Sequence, residues 1–595
     1  MGRVDRRDFL QFGSALPGLA SLSACAPAGP RPNVLWILAE DFSPDLGCYG
    51  NDLVKTPHLD RLAAEGVRYT NCICTASVCS AARSALMTGM FQTSIGAHNH
   101  RSHRDRPYSL PEGVRTVTGL FREAGYHTSN CRTPAPGLQA GGKTDFNFDL
   151  ERPFEGTDWD QRPAGAPFYA QVNFPETHRA FRRFEESPVD PAAVDLPPFY
   201  PDHPVVREDV ALYLDTAQHL DVKVGAVLQR LKDEGLYERT IVFFFGDHGQ
   251  ALHRGKQWLY EQGIRIPLIV RIPEAFRPSG FEPGSADERL LQHIDITATS
   301  LALAGIEPPP GMQGRQFLGA GSEPGPEFAF SARDRCDETV DRIRCVRDRR
   351  WKLIHNFMPE RPYAQKNHYK DTSYPALQVM RQLRDEGKLD GAAAAWMAPT
   401  RPEYELYDLE QDPYEVRNLA GAPEHAETLA RLREALERWI VESDDHGREL
   451  EDPLPAEYSL RTMVDGWYTN NGLLSKSGGV LRMDWTGQGR RPQEAVVPHV
   501  ARGGSLRLVL ELRSETGGDW QVRWGTPALM RGAGSAPLAL RPGGGWQEAA
   551  LDIDCEGWLT WFSIRFGQGP SRVRCRRAAL IRRDGRGTVC EWSFA

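Results

Sequence analysis

The chain has 595 residues, too many for one hydrophobic core, so we expect two or three domains. Hydrophobic residues make up 40% of the sequence and charged residues 25%, which is ordinary for a globular protein. The formal net charge is −8, which argues against general binding to nucleic acid. It also means that an anionic substrate needs a local basic pocket to attract it.

The N-terminus has the pattern of an export signal. Arg6 and Arg7 open a segment similar to a twin-arginine motif, and the weakly apolar stretch behind them is too short to span a bilayer. This stretch ends before Cys25 in a sequence similar to a lipobox, the signal for lipid attachment to cysteine. We predict that residues 1–24 are a twin-arginine lipoprotein signal peptide and that residues 25–32 are a tether.

These features predict a protein that the twin-arginine machinery exports to the periplasm or the cell surface. A lipid on Cys25 would be its only membrane anchor, because no other stretch is long and apolar enough to span a bilayer. The alternative is a plain secretory signal in which Cys25 is incidental.

Strands and helices alternate over residues 33–324. The run 33–39 is continuously apolar, as in a parallel strand buried on both faces, and Thr56-Pro57 begins a helix with Thr as its N-cap. Further strands are predicted at 67–75, 168–174 and 240–245, and further helices at 80–87 and 209–234. The alternation predicts an α/β domain with a central, mostly parallel sheet.

After residue 324 the pattern becomes antiparallel. Strands are predicted at 328–332, 341–347, 351–357 and 405–409, and an amphipathic helix at 424–443. They form a small antiparallel subdomain over 325–445, and the polar residues 446–466 predict a linker. Short alternating runs with glycine-rich turns then predict an accessory all-β sandwich domain over 467–595. Eight of the 14 tryptophans lie in that domain and suit either sugar stacking or a packed core.

Candidate functional residues lie where predicted strands end. Glu40 and Asp41 follow the strand 33–39, and Asp247 and His248 follow the strand 240–245. Ligands of open α/β sheets bind beyond the carboxyl ends of the strands, so we expect these side chains to meet. Three carboxylates with one imidazole fit a hard cation, and calcium better than zinc.

Residues 78–89, Val-Cys-Ser-Ala-Ala-Arg-Ser-Ala-Leu-Met-Thr-Gly, resemble the signature of the formylglycine-dependent sulfatase family, C-x-(P/A)-x-R followed by Thr-Gly. Other landmarks of the family follow in order, including E-L-Y-D-L-x-x-D-P-x-E-x-x-N-L at 405–419. The resemblance runs from Asn33 to Leu419. It implies an alkaline-phosphatase-like fold, with a sulfatase catalytic domain over 33–324 and the family's C-terminal subdomain over 325–445.

The resemblance also implies roles for individual residues. In this family a maturation enzyme, either the formylglycine-generating or the radical sulfatase-maturating type, oxidises the signature cysteine to formylglycine, and the hydrated aldehyde is the nucleophile. The implied catalytic residues are Cys79, Arg83, Lys143, His178 and Lys256. The implied ligands of one Ca²⁺ are Glu40, Asp41, Asp247, His248 and an oxygen of the modified Cys79.

Three departures from the family pattern stand out. Glu40 takes the place of the usual first aspartate of the metal pair, and Asp145 takes the place of a histidine that usually follows the first lysine by two residues. Ala81 replaces the commoner proline of the signature, which bears on the type of maturation enzyme.

Candidate substrate contacts lie in the loop after the signature and in the subdomain; they are His98, His100, Arg101, Arg333, Arg335 and Asp337. Arginine binds carboxylate or sulfate with two parallel hydrogen bonds, so these residues predict an acidic, glycosaminoglycan-like sugar. The alternative is that the subdomain arginines form salt bridges with neighbouring acids, which are Asp334, Glu338 and Asp341.

The sequence therefore predicts a sulfatase that hydrolyses sulfate esters or N-sulfate groups of a sulfated carbohydrate, as in glycosaminoglycan degradation. Residues 40–45 and 333–339 are similar to the heparan N-sulfatase-like subgroup. One alternative is a phosphate monoester or diester hydrolase of the same superfamily. The other is an inactive relative that binds sulfated glycan through its all-β domain and keeps Cys79 unmodified.

Overall fold

The computed structural model describes residues 31–451, 458, 460–469, 471–485, 492–528, 532–567, 570–585 and 587–594. The predicted signal peptide and the lipidation site Cys25 lie outside the described residues. Within them, no helix combines the length and the apolar character that crossing a membrane requires.

A seven-stranded sheet carries the first part of the chain. Its strands are β1 (Asn33–Ala39), β2 (Val67–Ile73), β3 (His127–Cys131), β4 (Phe168–Phe174), β5 (Thr240–Gly246), β6 (Arg265–Arg271) and β7 (Ala286–Gln292). Their order is β3-β4-β1-β5-β6-β2-β7, and β6 runs antiparallel to both of its neighbours. The other pairs are parallel, which confirms the predicted mostly parallel sheet.

Helices cover both faces of this sheet. They are α1 (Pro57–Glu65), α2 (Cys79–Thr88), α3 (Val117–Glu123), α4 (Pro204–Asp233), α5 (Glu261–Ile264) and α6 (Asp295–Leu303). On one face α1 and α4 pack on Leu35 and Ile37 of β1. On the other face α2, α3 and α6 pack on Trp36, whose indole N–H donates to Ser300 Oγ at 2.9 Å. The central strand β1 is buried on both sides, as its continuous apolar sequence predicts.

A four-stranded antiparallel sheet follows. It contains β8 (Ala329–Arg333), β9 (Ile343–Arg347), β10 (Trp351–Asn356) and β11 (Tyr404–Asp408), in the order β11-β10-β9-β8. The helices that follow β10 are α7 (His368–Ser373), α8 (Pro375–Asp385), α9 (Gly391–Trp396) and α10 (Ala426–Glu442), and α10 packs on the sheet through Leu432, Leu436 and Trp439. Ser331 Oγ donates to the Cys74 carbonyl at 2.7 Å, which fixes β8 beside the chain that enters α2.

The C-terminal part is a ten-stranded antiparallel sheet. Its strands are β12 (Thr462–Val464), β13 (Trp467–Thr469), β14 (Leu473–Ser477), β15 (Val480–Trp485), β16 (Glu494–Ser514), β17 (Trp520–Gly525), β18 (Gly534–Leu538), β19 (Gln547–Arg565), β20 (Ser571–Arg582) and β21 (Thr588–Ser593). The long central strands β16 and β19 pair along their length with two register shifts, and their inward side chains form a separate apolar core. Among the described residues, this all-β region agrees with the predicted class.

The start of this region differs from the sequence prediction. Strand β12 lies inside the predicted linker 446–466 and pairs with β13. Asp465 and Gly466 form the two-residue turn between them with φ of 47° and 80°, the left-handed values that tight hairpins require. A short hairpin therefore stands where polar composition indicated only a connection.

A buried ion-pair cluster joins β9 to the chain after α10. Arg344 is fully buried, and its guanidinium donates to Asp445 at 2.5 and 2.9 Å and to Asp334 at 3.0 Å. Burial raises the pKa of Asp334 to about 7, although Arg344 beside it acts in the opposite direction. Both acids depend on this one cation.

We expect Arg344→Met to lower the free energy of unfolding by about 3–5 kcal/mol, because it leaves Asp445 buried without its cation. Denaturant unfolding followed by tryptophan fluorescence measures the change. Arg349→Met is the matched control, since Arg349 pairs with Glu288 on the surface, where both side chains are more than 60% exposed; it should cost about 0.5 kcal/mol or less. Equal losses in both variants would contradict the assigned role of the cluster.

Candidate active site

The ends of β1 and β5 and the start of α2 meet at one point. Asp41 follows β1, Asp247 follows β5, and the Asp41 amide donates to Asp247 Oδ1 at 2.9 Å. Asp41 has a φ of 54°, a left-handed conformation that aspartate tolerates better than most residues. At Gly246 a Cβ atom would lie 2.5 Å from the Phe42 carbonyl oxygen, so glycine allows the two strand ends to approach.

Four buried side chains form a potential metal-binding cluster. They are Asp41, Cys79, Asp247 and His248, whose ligand atoms all lie within 4.8 Å of one another. His248 Nε2 is 3.1 Å from Asp41 Oδ1 and 3.3 Å from Cys79 Sγ. Two carboxylates and an imidazole suit a divalent cation, so the donor set fits the metal that the family implies. Burial lowers the pKa of His248, but Asp247 and Asp41 outweigh it and raise the value to about 10.

Glu40, the other predicted metal ligand, lies at the edge of the cluster, and its role as a ligand stays a prediction. It lies outside the four-residue cluster, and its carboxylate forms an ion pair with Lys143. Its main-chain carbonyl accepts a hydrogen bond from Thr177, which fixes the backbone in this orientation. The longer side chain of glutamate reaches the lysine, whereas the next residue, Asp41, points into the cluster.

Arg83 lies one helical turn after Cys79 and faces the same cluster. Its Nε donates to Asp247 Oδ2 at 3.0 Å, and its Nη1 donates to Asn173 Oδ1 at 2.6 Å. Burial lowers the pKa of Arg83, but the negative charges of Asp247 and Glu40 outweigh burial, so the pKa is higher than its usual value. Asn173 belongs to the site but was not predicted, although it precedes the carboxyl end of β4 by one residue and fits the strand-end rule.

Lys256 is a second buried cation of the cluster. Its Nζ lies 2.8 Å from Asp41 Oδ2 and 3.4 Å from Cys79 Sγ, and the side chain is buried. Burial lowers the pKa of Lys256, but Asp41 outweighs burial and the pKa stays well above its usual value. The ring of Tyr369 lies 5.3 Å from the ammonium group. No sequence pattern marks Tyr369, which the chain brings in with the short helix α7.

Lys143 and His178 lie at the more open side of the cluster. Lys143 is 21% exposed and lies 3.6 Å from Asp145 as well as beside Glu40. His178 is 29% exposed, with Nε2 at 3.7 Å from Asp41 Oδ2 and Nδ1 at 2.6 Å from the Arg179 carbonyl. Burial, with Lys256 nearby, lowers the pKa of His178. The predicted catalytic residues therefore surround one point.

The predicted substrate contacts behave differently from one another. Arg101 is 28% exposed, and its Nε lies 3.5 Å from Asp145, which also binds Arg104 at 2.5 Å. Arg101 thus lies beside Lys143 at the open side. His98 is buried, and desolvation there lowers its pKa to about 3.

Of the two subdomain arginines, Arg333 follows the alternative prediction, and Arg335 forms an internal ion pair with an acid that was not predicted. Arg333 is buried and pairs with Asp341 at 3.3 Å, and Arg335 is buried and pairs with Glu451 at 2.5 Å. Their guanidinium groups are occupied by internal ion pairs, so the prediction that they contact the sugar is corrected. Arg335 pairs with a residue from beyond the subdomain because the chain after α10 returns to this wall.

Asp337 and His100 connect the site to the C-terminal region. Asp337 is buried and lies 3.3 Å from His100 Nδ1, 3.0 Å from Arg461 Nη1 and 3.0 Å from Gln257 Nε2. Gln257 adjoins Lys256 in the chain. Arg461, just before β12, was not predicted; it ties the all-β region to the wall of the site, and no local sequence signal marks it.

Comparisons with known proteins give the family and the fold of the chain. The sulfatase family model matches residues 32–138 and 155–306, and the model of the N-sulphoglucosamine sulphohydrolase C-terminal region matches residues 246–373. A solved structure titled as a complex with its substrate D-glucosamine-2-N,6-O-disulfate has a TM-score of 0.50 and 18% identity, and the match covers 70% of this chain and 98% of that one. This likeness shows the shared fold.

Two relatives are closer in sequence. An ulvan-active sulfatase of Formosa agariphila is 34% identical over 70% of this chain and 76% of its own length. The human N-sulphoglucosamine sulphohydrolase is 30% identical over 70% of this chain and 91% of its own length. Both matches cover more than two thirds of this chain and most of the relative. The chain therefore belongs to the sulfatase family.

Proposed function

We propose that this sulfatase removes sulfate from an acidic, sulfated carbohydrate of the glycosaminoglycan type, as an ester or as an N-sulfate. The observation that carries the proposal is the convergence of three cations, Arg83, Lys143 and Lys256, around the buried cluster that contains Cys79. The half-buried Arg101 and the exposed Arg104, beside Lys143, suit a second anionic group of the sugar. The name of the human relative supports N-sulfate as one target.

We propose further that a formylglycine-generating or radical sulfatase-maturating enzyme converts Cys79 to formylglycine. The hydrated aldehyde would supply two hydroxyl groups on one carbon, one to attack sulfur and one to release sulfate as the aldehyde returns. Cys79 is the first residue of α2, where unpaired amides and the positive end of the helix dipole favour a bound anion. Arg83, on the next turn, orients this position through its contact with Asp247.

Asp41, Asp247, His248 and an oxygen of the modified Cys79 are the residues that would hold a calcium ion. The oxygen-rich donor set supports calcium over a softer metal. A divalent cation there would lower the pKa of the nucleophile and offset sulfate charge. Lys256 and Lys143 would provide fixed positive charge for the sulfate oxygens, and His178, at the more open side of the cluster, would contact the leaving-group atom.

The enzyme matured in a host with sulfatase maturation should release sulfate from an aryl sulfate much faster than phosphate from the matching aryl phosphate. Among defined sugars, N-sulfated and O-sulfated glycosaminoglycan fragments should be hydrolysed faster than a neutral sulfated galactan. The reason is that Arg101 and Arg104 find no acidic sugar to bind on the galactan. Sulfate release by ion chromatography measures both comparisons. Preference for phosphate would support the phosphate hydrolase alternative, and preference for the galactan would contradict the acidic substrate.

A pair of cysteine variants serves as the control for that experiment. Cys79→Ala should abolish turnover, whereas Cys74→Ala, another buried cysteine near α2, should retain it. A peptide mass spectrum over residue 79 should show the aldehyde in the active protein. An unmodified thiol in a protein that binds glycan without turnover would support the inactive-relative alternative.

Removal of the metal should abolish activity, and calcium should restore it. Dialysis against a chelator followed by titration with Ca²⁺, Mg²⁺ and Zn²⁺ tests the identity of the ion, and metal analysis gives the stoichiometry. Asp247→Ala should lose both bound metal and activity, because Asp247 contributes to the cluster and positions Arg83. Full activity in a metal-free sample, or one bound zinc, would contradict the proposed site.

We also propose that the protein is exported by the twin-arginine machinery and held at the membrane by a lipid on Cys25. In the native host, Cys25→Ala should move the enzyme from the membrane fraction to the soluble periplasmic or extracellular fraction, because one cysteine carries the proposed anchor. Fractionation and immunoblotting follow the shift. Replacing both Arg6 and Arg7 with lysine is the companion test and should block export. An unchanged membrane fraction in Cys25→Ala would contradict the lipid anchor.

A further inference from the structure

The charge of the chain is divided unevenly. Residues 461–595 contain 19 basic and 12 acidic residues, a net charge of +7, whereas the rest of the chain has 52 basic and 67 acidic residues, a net charge of −15. Of the 19 basic residues, 18 are arginine and one is lysine. The all-β region is therefore a cationic body on an anionic enzyme, and its cations are of the type that binds sulfate and phosphate with two parallel hydrogen bonds.

Three of these arginines lie opposite one another on adjacent strands. Arg574 of β20 is in register with Arg482 of β15 on one side and with Arg513 of β16 on the other. Arg482 and Arg513 are exposed and Arg574 is half-buried, while their chain neighbours on each strand point into the core. We call these three residues the arginine row.

Without acidic partners, three arginines side by side on adjacent strands would repel one another and destabilise the sheet. Directly opposed side chains on antiparallel strands are about 5 Å apart at Cβ, and like charges in that position destabilise the pair. Arg574 has an acidic partner, Asp484, at 2.9 Å. Arg482 and Arg513 form no ion pair with any residue that the structure describes. Two cations therefore remain available on this face.

The surroundings of the row suit a sugar as well as an anion. Arg576, two residues after Arg574 on β20, pairs with Glu511 and lies over the half-buried ring of Trp546 at 4.8 Å. Arg572, two residues before Arg574, extends the positive face and lies 3.6 Å from Glu515. The half-buried indole of Trp546, beneath Arg576, adds apolar surface next to cations that can bind the sulfate groups of a sugar.

We propose that the arginine row is a binding site for the sulfate groups of a sulfated polysaccharide, separate from the candidate active site. The proposal rests on the proposed function, because it takes the polymeric form of that substrate as its ligand. The all-β region would hold the chain while the catalytic part removes sulfate from it. The net charge of −15 on the rest of the protein repels any polyanion, so the polymer would bind only on the cationic face.

The binding test uses the full chain with Cys79→Ala, so that no sulfate is lost during the measurement. Heparin is the probe, and the double variant Arg482→Gln/Arg513→Gln is compared with the parent by titration at several salt concentrations. We expect heparin to bind the double variant about tenfold more weakly than the parent. The slope of log K against log salt concentration should be smaller by about one to two. The matched control is Arg507→Gln/Arg583→Gln, which removes the same charge from exposed arginines paired with Asp552; it should bind like the parent.

Each other outcome overturns the proposal. Unchanged heparin binding in the row variant, or an equal loss in the control variant, would mean that the arginine row is not a binding site for sulfate groups. Single-stranded DNA bound as tightly as heparin, and lost with the same variant, would assign the face to nucleic acid instead. Thermal unfolding checks that all variants are folded. Binding is measured without turnover, so a failure of the proposed sulfatase substrate appears in a separate experiment. It appears as absence of sulfate release by the matured enzyme with the native Cys79.

Discussion

The site depends on holding two carboxylates, Asp41 and Asp247, side by side where water does not reach them. Both are fully buried, and the amide of Asp41 donates to the carboxylate of Asp247. Two like charges in a medium of low dielectric constant repel strongly, and each loses several kcal/mol of hydration. Cations must therefore surround them, and every element near the site supplies one or fixes one in place.

The compensating cations come from separate parts of the chain. Arg83 comes from α2, while His248 and Lys256 come from the loop after β5. Burial raises the pKa of Asp41, but Lys256 outweighs it and holds the pKa well below its usual range. The acids and the lysine thus stay ionised together. A bound divalent cation would add positive charge to the same carboxylates, which explains why two of them can be kept within one cluster.

The C-terminal region is joined to the rest of the fold by polar contacts as well as apolar ones. Arg461 pairs with Asp337 in the wall of the site, and Tyr468 donates to Asp371 at 3.1 Å. Val500 of β16 packs with Val379 of α8 and Val205 of α4. The division of charge between the two parts therefore occurs within one connected structure, in which the cationic all-β region is packed on the anionic remainder of the chain.

The sequence by itself determined the central sheet and the core of the site. The continuous runs that form β1, β4 and β5 are typical of strands buried on both faces, and all three strands are buried. The residues that follow β1 and β5 are the ones that meet Cys79. These features are local, so a short stretch of sequence carries them. The signature at α2 is equally local and placed both Cys79 and Arg83.

Only the tertiary structure decided the partners of the charged residues. Glu40 pairs with Lys143, Arg333 pairs with Asp341, and Arg335 pairs with Glu451. Asn173, Tyr369 and Arg461 join the site from elements distant in the chain, and the arginine row exists because three strands pair in one register. An ion pair depends on the distance between two side chains, and tertiary packing sets that distance. The local sequence pattern around either residue does not predict it.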